Sequence, residues 1–406
     1  MASVLSADVR LRREYFGALA WRPGRPEVHR LDELAAAAAL YYLHPRCDTL
    51  GSAERATLGE LFGATSEQWL STCSLLREHA LLQPYEATPP SRSTLVDFRK
   101  VSGFLQSSKP PREIAKPFWV HIQPFGRCNQ RCLHCYCEGS PSASPLQVPL
   151  DTWHGIIDRL DAYGVLEVYV TGGETLAFSE FFDIAQDIVD RGLGFGLSTN
   201  ATATSKAVLS RLANLRIRKV QVSLDGGSPA THDHIRGSKG AFRRFQKGLK
   251  DLSAVCEPVI NTVVSRWNLS ELEDIVVLGK DAGCREFKFF PQKPVGRSLL
   301  FVDQCLTDKE ICETLVPLCR TLGEAHSVQI DTVNTEVPCG SGLSGFAVDE
   351  LGDVYPCIFG IRGKNQRCGN IIRDDLNDLW FTSPVLENFR TTTTPPSICR
   401  RCERLC

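Results

Sequence analysis

The pattern of apolar and polar positions changes twice along the chain and divides it into three stretches. From Asp8 to about Tyr85, short apolar runs alternate with turn-forming glycine and proline and then give way to helical spacing, which predicts a small α+β unit. Residues 86–117 contain several prolines and little apolar periodicity, as is typical of a linker. Beyond residue 117, apolar runs of strand length alternate with longer helical patterns.

Six units of strand followed by helix are predicted after the linker. The strand candidates are 120–124, 166–171, 195–199, 219–224, 259–264 and 287–291, and the helical stretches include 152–163, 180–191 and 269–282. Because strands buried on both faces are apolar throughout and are joined by helical crossovers, this alternation predicts a parallel sheet. Six units, rather than eight, predict a partial (β/α)6 barrel in an α/β fold.

The composition adds one unusual feature, since the 406 residues include 17 cysteines and a single methionine. The length, the odd cysteine count and the absence of a signal-peptide pattern argue against a secreted disulfide scaffold, so we expect a soluble, cytoplasmic protein whose cysteines bind metal. The 46 basic and 47 acidic residues give a formal net charge of -1. This balance argues against a nucleic-acid partner, and no apolar run reaches the roughly 18 residues that would cross a membrane.

The cysteines form two groups and a set of isolated positions. The central group is Cys128, Cys132, Cys135 and Cys137, and the terminal group is Cys339, Cys357, Cys368, Cys399, Cys402 and Cys406. The isolated cysteines are Cys47, Cys73, Cys256, Cys284, Cys305, Cys312 and Cys319. Free cysteines among apolar residues commonly pack as small hydrophobic side chains, and we expect that role for the isolated set.

The central group directly follows the first predicted strand of the barrel. Cys128, Cys132 and Cys135 lie within eight residues, a spacing at which thiolates bind iron-sulfur clusters or zinc. A four-iron cluster held by three cysteines leaves one iron open to a cofactor or substrate. The alternatives are a zinc site with Cys137 as fourth ligand and a set of buried thiols.

This CxxxCxxC arrangement after the first strand of a six-unit β/α barrel resembles the radical S-adenosylmethionine (radical SAM) enzymes. The TGGE segment at 171–174, the STN segment at 198–200 and the SLDG segment at 223–226 resemble the cofactor-binding strand ends of that family. The residues that the resemblance assigns to S-adenosylmethionine are His134, Gly172, Gly173, Glu174, Ser198, Asn200, Ser223, Asp225 and Arg236. Within this set, it implies that Glu174 accepts from the methionine amino group, that Arg236 pairs with the carboxylate and that the backbone of His134 meets adenine.

The resemblance also implies the chemistry. One-electron cleavage of S-adenosylmethionine on a 4Fe-4S cluster gives a 5'-deoxyadenosyl radical that abstracts hydrogen from a substrate. An external reductant of flavodoxin or ferredoxin type would supply the electron. No side chain is assigned as catalytic acid or base.

The terminal cysteines resemble the auxiliary-cluster extensions of the same superfamily, which are called SPASM or twitch. The GDVYPC segment that ends at Cys357 is particularly similar. The simplest expectation is one auxiliary 4Fe-4S cluster on Cys339, Cys357, Cys399 and Cys402. A second cluster that uses Cys368 and Cys406 stays open, as does a zinc site.

The first stretch resembles the PqqD-like winged-helix module on which precursor peptides dock. Such modules bind a leader peptide as an added strand, and the predicted edge strand 28–31 offers backbone groups for it. The predicted organisation is a peptide-recognition domain (1–85), a linker (86–117), a radical SAM partial barrel (118–321) and a cysteine-rich auxiliary domain (322–406).

These features lead us to expect a radical SAM peptide maturase that binds a leader and modifies a core residue, forming a C-C, C-O or thioether cross-link. Its partners would be a precursor peptide and the reductant, without nucleic acid or membrane. One alternative is a radical SAM dehydrogenase of a small-molecule alcohol. The other is a degenerate iron-sulfur scaffold without turnover.

Overall fold

The structure, a computed structural model, describes most of the chain after residue 115 and short segments before it. The described residues are 116–143, 148–333 and 341–391, apart from 216, 218, 362 and 364, together with 2–5, 10–14, 17–21, 28–31, 35, 38–39, 46–47, 64–79 and 81–84. The chain divides into two compact units, Met1–Ala115 and Lys116–Cys406. The predicted linker residues 86–115 lie outside the described residues.

Two small antiparallel sheets and one long helix are described in the first unit. The strands are β1 (Ala2–Leu5), β2 (Arg10–Glu14), β3 (Gly17–Trp21), β4 (Val28–Leu31), β5 (Arg46–Cys47) and β6 (Leu82–Pro84), paired in the orders β5-β1-β6 and β2-β3-β4. Helix α1 (Ser66–Glu78) begins with a reciprocal capping box between Thr65 and Gln68 and buries Trp69 and Cys73 on one face. Strand β4, predicted as an edge strand, is the last strand of its described sheet.

The second unit is built on one ten-stranded sheet. Its strands are β7 (Trp119–Phe125), β8 (Glu167–Gly172), β9 (Gly194–Thr199), β10 (Lys219–Ser223), β11 (Glu257–Val264), β12 (Glu286–Pro291), β13 (Gln329–Asp331), β14 (Gly345–Val348), β15 (Asp353–Tyr355) and β16 (Gly369–Asn370). Strands β7 to β12 are parallel and adjacent, and all six lie within two residues of their predicted bounds. Their carboxyl ends therefore meet at one edge of the sheet.

α-Helices of seven residues or more alternate with the barrel strands and continue beyond β16. They are α2 (Leu150–Tyr163), α3 (Glu180–Asp190), α4 (Lys206–Asn214), α5 (Pro229–Arg236), α6 (Ala241–Ser253), α7 (Leu272–Asp281), α8 (Val316–His326), α9 (Leu376–Thr382) and α10 (Pro384–Thr391). On α3, Phe181, Ile184 and Ile188 recur at helical spacing and are fully buried. Helix α7 begins later than predicted because residues Leu269–Glu271 form a 3-10 turn.

The C-terminal region extends the barrel sheet at both edges. Strand β13 pairs with β12, and β14 pairs in parallel with β7, while β15 and β16 continue antiparallel from β14. The predicted boundary after residue 321 falls within α8. Since β14 begins a hairpin beside the first barrel strand, the segment that precedes Cys357 lies next to the loop that follows β7.

Candidate cluster and cofactor site

The three central cysteines lie on a loop that follows β7 and is closed at its base. Arg127 bridges to Ser140, and the backbone N–H of Cys128 donates to the Ser140 carbonyl at 3.1 Å. Inside this loop, which we call the cysteine loop (residues 126–140), the N–H of Cys135 donates to the carbonyl of Cys132 at 3.3 Å. The short ring of backbone contacts holds the three thiols on one turn of chain.

The thiols of the cysteine loop lie close enough to change one another's pKa values. Burial, followed by the nearby Glu174, Cys132 and Cys135, raises the pKa of Cys128 to about 12. A hydrogen bond from Cys137, whose Sγ lies 3.6 Å away, lowers the pKa of Cys135 to about 6. Among the described residues, no three His, Cys, Asp or Glu side chains converge closely enough for one metal ion.

Two glycines at the end of β8 let the sheet touch the cysteine loop. A Cβ on Gly173 would lie 1.8 Å from the carbonyl oxygen of Arg127, and one on Gly172 would lie 2.5 Å from that of Phe125. Gly172 also has a φ of +124°, which disfavours any side chain. Glycine was predicted at these positions because it allows close backbone approach, and the backbone approached is that of Phe125 and Arg127, where the cysteine loop begins.

Glu174 follows these glycines and joins the ends of β8 and β9. Its carboxylate accepts from Leu176 N at 3.1 Å, from Thr199 Oγ1 at 2.5 Å and from Asn200 N at 2.7 Å. Burial raises the pKa of Glu174, and the hydrogen bond from Thr199 opposes that rise. The amide of Asn200 in turn donates to Asn129, on the cysteine loop, at 2.8 Å. Binding of a methionine amino group by Glu174 stays a prediction.

A buried carboxylate links three of the predicted cofactor residues. Asp225 is fully buried, and its Oδ2 lies 2.6 Å from His134 Nε2 and 2.8 Å from Arg236 Nη2. Its other oxygen accepts from Val263 N at 2.9 Å. Burial alone would raise the pKa of Asp225, but Arg236 and His134 hold it well below its usual range. Asp225 is therefore a charged anchor for Arg236 and for the loop residue His134.

The guanidinium of Arg236 has one buried nitrogen without a partner among the described residues. Its Nη1 lies 3.6 Å from the Sγ of Cys132, and its Nη2 is paired with Asp225, but its Nε is buried with no hydrogen-bond partner among the described residues. A buried, unpaired N–H of a cation costs free energy and fits an anionic oxygen of a ligand. The remaining two predicted contacts, Ser198 and Ser223, are half-buried near the ends of β9 and β10.

Sequence reasoning missed Arg297, which binds three backbone carbonyls of the cysteine loop. Its guanidinium donates to the carbonyls of Cys132 at 2.6 Å and Gly139 at 2.9 Å, and its N–H donates to Cys135 O at 3.0 Å. Gly296 allows the approach, since a Cβ there would lie 2.3 Å from the Tyr136 carbonyl. The Gly-Arg pair after the sixth strand was the only sequence signal.

A second group of contacts lies between β7 and the β14–β15 hairpin. Gln123, fully buried, donates to Glu350 at 3.4 Å, while its own carbonyl oxygen has no partner among the described residues. Tyr136 contacts Thr171 at 3.3 Å and stacks edge-on with Phe359, two residues after Cys357. These contacts place the cysteine loop against the segment that carries the auxiliary-cluster motif.

The terminal cysteines are only partly described. Cys357 follows β15 and is half-buried. Burial raises the pKa of Cys368 to about 12, and the nearby Cys357 contributes to that rise. Cys339, Cys399, Cys402 and Cys406 lie outside the described residues. The auxiliary ligand set therefore stays a prediction.

Two protein-family models match this chain, one over the barrel and one over the C-terminal region. Residues 122–278 match the radical SAM superfamily, and residues 339–403 match an iron-sulfur cluster-binding domain, SPASM. The chain therefore contains a radical SAM domain and a SPASM domain. The partial barrel that brings its three cysteines to the carboxyl end of β7 and its C-terminal SPASM domain confirm the fold class predicted from the sequence.

The relatives of this chain have several names. It is 26% identical to the AdoMet-dependent heme synthase of Methanosarcina barkeri, with 68% of the chain and 85% of the relative covered. It is 28% identical to the mycofactocin maturase MftC of Mycolicibacterium smegmatis, with 65% and 70% covered. The solved structure of Streptococcus suis SuiB bound to the precursor peptide SuiA matches with a TM-score of 0.69 at 17% identity, covering 99% of this chain and 94% of that one. Among the described helices, none is long and apolar enough to cross a membrane.

Proposed function

We propose that the chain is a radical SAM peptide maturase that binds a leader peptide and modifies a residue of the core peptide. The observation that carries this proposal is the extent of the fold match. The sequence relatives named above cover about two thirds of the chain, whereas the likeness to SuiB covers 99% of it and so includes the first unit. A small-molecule dehydrogenase, the alternative enzyme, would give that unit no evident task.

The residues at the central site suit a 4Fe-4S cluster and S-adenosylmethionine. Cys128, Cys132 and Cys135 would hold the cluster, which when bound supplies reductive cleavage of S-adenosylmethionine to methionine and a 5'-deoxyadenosyl radical. The buried, unpaired Nε of Arg236 suits the methionine carboxylate, and Glu174 has lone pairs left for the amino group. Asp225 would keep Arg236 and His134 in place, and Gly172 and Gly173, whose Cβ positions lie against the carbonyls of Phe125 and Arg127, would hold the end of β8 close to the cysteine loop.

One auxiliary 4Fe-4S cluster on Cys339, Cys357, Cys399 and Cys402 remains our proposal for the SPASM domain. It would accept the electron that the substrate loses when a cross-link closes with loss of two hydrogens. Iron quantification tests the count, because about eight irons per chain indicate one auxiliary cluster and about twelve indicate two. The reducing conditions that such clusters need fit a cytoplasmic location.

The leader peptide would dock on the first unit, within the predicted domain 1–85. Strand β4 (Val28–Leu31) ends the described order β2-β3-β4, so its outer side offers unpaired backbone groups for an added strand. Strand addition needs backbone hydrogen bonds rather than a particular side chain, which suits a partner that varies in sequence.

The test compares a precursor peptide with and without its leader, using the open reading frame beside this gene as the source. We expect turnover only with the leader, and we expect free leader peptide to compete with it. Deleting residues 1–85 should abolish peptide turnover and leave uncoupled cleavage of S-adenosylmethionine intact. Equal turnover of leaderless peptide, or unchanged turnover after the deletion, would refute the docking role.

A further inference from the structure

A basic segment that the proposed chemistry does not use runs from α5 into α6. Residues 236–250 contain six lysines and arginines and no aspartate or glutamate, although the whole chain is nearly neutral. All but the buried Arg236 are exposed. Lys247 pairs with Asp251 at 2.6 Å, so the cations that matter are those nearer the start of the segment, Lys239, Arg243 and Arg244.

The placement of these cations opposes the stability of the helix that carries them. Arg243 and Arg244 lie in the first turn of α6, where the helix dipole disfavours positive charge by about 0.3–1 kcal/mol each. The helix is capped instead by Asp233, which accepts from Gly240 N at 2.5 Å and Phe242 N at 2.8 Å. Arg244 has a local contact, since its guanidinium donates to the Lys239 carbonyl at 3.1 Å and to Ser238 Oγ at 2.9 Å, but the helix dipole gives neither arginine a stabilising role in the first turn.

This segment is in direct backbone contact with the cysteine loop. Arg131, which lies between the first two cysteines, donates its N–H to the Arg236 carbonyl at 3.2 Å, and Leu133 donates to Ile235 at 2.8 Å. The approach is so close that a Cβ on Gly237 would lie 2.4 Å from the Arg131 carbonyl oxygen. Arg131 is itself exposed. We call Arg131, Lys239, Arg243 and Arg244 the basic surface.

Exposed apolar side chains lie on a second segment that contacts the loop. In the segment Gly296–Gln304, Leu299 is 60%, Leu300 75% and Val302 41% exposed. The same segment contacts the loop through Arg297, whose N–H donates to the Cys135 carbonyl at 3.0 Å. We call these three side chains the apolar surface.

A chain of rings connects helix α5 to the apolar segment. His234 on α5 contacts Trp267 with ring centroids 5.4 Å apart, and Trp267 contacts Phe301 of the apolar segment at 5.4 Å. Helix α5, which leads into the basic segment, is therefore in side-chain contact with the apolar segment, and both are hydrogen-bonded to the loop that carries the three cysteines. We call the basic and apolar surfaces together the docking face. An apolar patch with a charged rim is the ordinary composition of a protein interface.

We propose that this face docks an acidic electron-donor protein of the flavodoxin or ferredoxin class. The inference rests on the proposed radical chemistry, because each reductive cleavage consumes one electron that the chain does not itself supply. The donor loses one electron and the loop-bound cluster gains it, with no atom transferred. Transient electron-transfer contacts are small and electrostatically steered, which matches a compact basic rim beside the cluster ligands.

The test uses the cluster-loaded full chain and reduced flavodoxin, with cluster reduction followed anaerobically by absorbance. The variant is Arg243→Glu/Arg244→Glu, and the matched control is Arg320→Glu/Arg373→Glu, which reverses two exposed charges on α8 and after β16. At low salt we expect the second-order rate constant to fall at least about tenfold in the variant, with most of its salt dependence lost, and to stay within about twofold in the control. Reduction by dithionite should be unchanged in both.

Other outcomes would overturn the assignment. An unchanged flavodoxin rate and salt dependence would contradict it directly. An equal loss with dithionite, or weaker binding of the precursor peptide, would assign the basic surface to the loop structure or to an acidic part of the peptide. If the double variant does not fold, Lys239→Gln/Arg243→Gln provides the same comparison. Leu300→Ser should slow the flavodoxin reaction without altering its salt dependence. Peptide modification driven by dithionite tests the proposed function separately.

Discussion

Replacing Asp225 with asparagine removes the charge that anchors the cofactor side of the site while keeping its shape. In the wild-type chain, the Asp225 carboxylate lies 2.8 Å from Arg236 and 2.6 Å from His134 and is fully buried. The variant leaves the buried Arg236 guanidinium without its counter-ion. Breaking a buried ion pair in this way costs about 3–5 kcal/mol, because the remaining charge stays desolvated.

The loss is measurable as a shift in the melting temperature of the cluster-loaded chain. With an unfolding entropy of about 2.1 cal/mol/K per residue over residues 116–406, this cost corresponds to a fall of about 5–8 °C. The control Asp251→Asn breaks the exposed pair with Lys247 and should shift the melting temperature by less than about 2 °C. Asp225→Asn/Arg236→Leu removes both charges and should be less destabilised than the sum of the single variants.

The stabilisation that Asp225 provides also depends on pH, and its lowered pKa fixes the direction of that dependence. Because the folded pKa of Asp225 is lowered, its stabilisation is fully present above the unfolded value of about 3.9 and is lost as the pH falls through the folded pKa. The gap between wild type and Asp225→Asn should therefore be constant from about pH 8 to pH 5 and narrow below about pH 4. A variant within 1 °C of wild type throughout the upper range would refute the assignment of Asp225 as anchor.

Two further substitutions test the cysteine loop. Gly173→Ala places a Cβ 1.8 Å from a loop carbonyl and should reduce cleavage of S-adenosylmethionine about 100-fold, because the site is displaced. The control Gly155→Ala adds a Cβ with nothing within 4 Å and should stabilise the chain by about 0.5–1 kcal/mol. The yield of 5'-deoxyadenosine and thermal unfolding measure the two effects, and equal cleavage activities of the two variants would contradict the packing argument. Arg297→Gln removes charged donors from the carbonyls of Cys132 and Gly139, each worth about 1.5–3 kcal/mol, so a chelator should extract iron at least about tenfold faster than from wild type, and an unchanged rate would show that these contacts are dispensable.

The barrel strands could be predicted from the sequence because buried parallel strands are continuously apolar. The fully buried Val120 and Ile122 on β7, and Val168 and Val170 on β8, are visible in the sequence as such runs. Strands β13 and β14 were not predicted, since three or four residues carry too little pattern. Their position is fixed by pairing with the open edges of the barrel sheet rather than by local preference.

The site was predictable where its residues form short motifs and not where they meet across the fold. The glycines before Glu174 and the spacing of the cysteines are local signals. Arg297 reaches Cys132 across 165 residues, and Glu350 reaches Gln123 across 227, so neither contact has a local signature. The same holds for Asp225, whose position after a strand was visible but whose pairing with Arg236 was not.

The measurement that tests the central claim most directly is mass spectrometry of the leader-bearing precursor peptide after anaerobic incubation with the reconstituted chain, S-adenosylmethionine and reductant. We predict a peptide that has lost two hydrogens for each cross-link, with 5'-deoxyadenosine formed alongside it, and neither product with Cys128→Ala. Formation of 5'-deoxyadenosine with an unaltered peptide would contradict peptide maturation. Its absence above the Cys128→Ala background would contradict the radical chemistry itself.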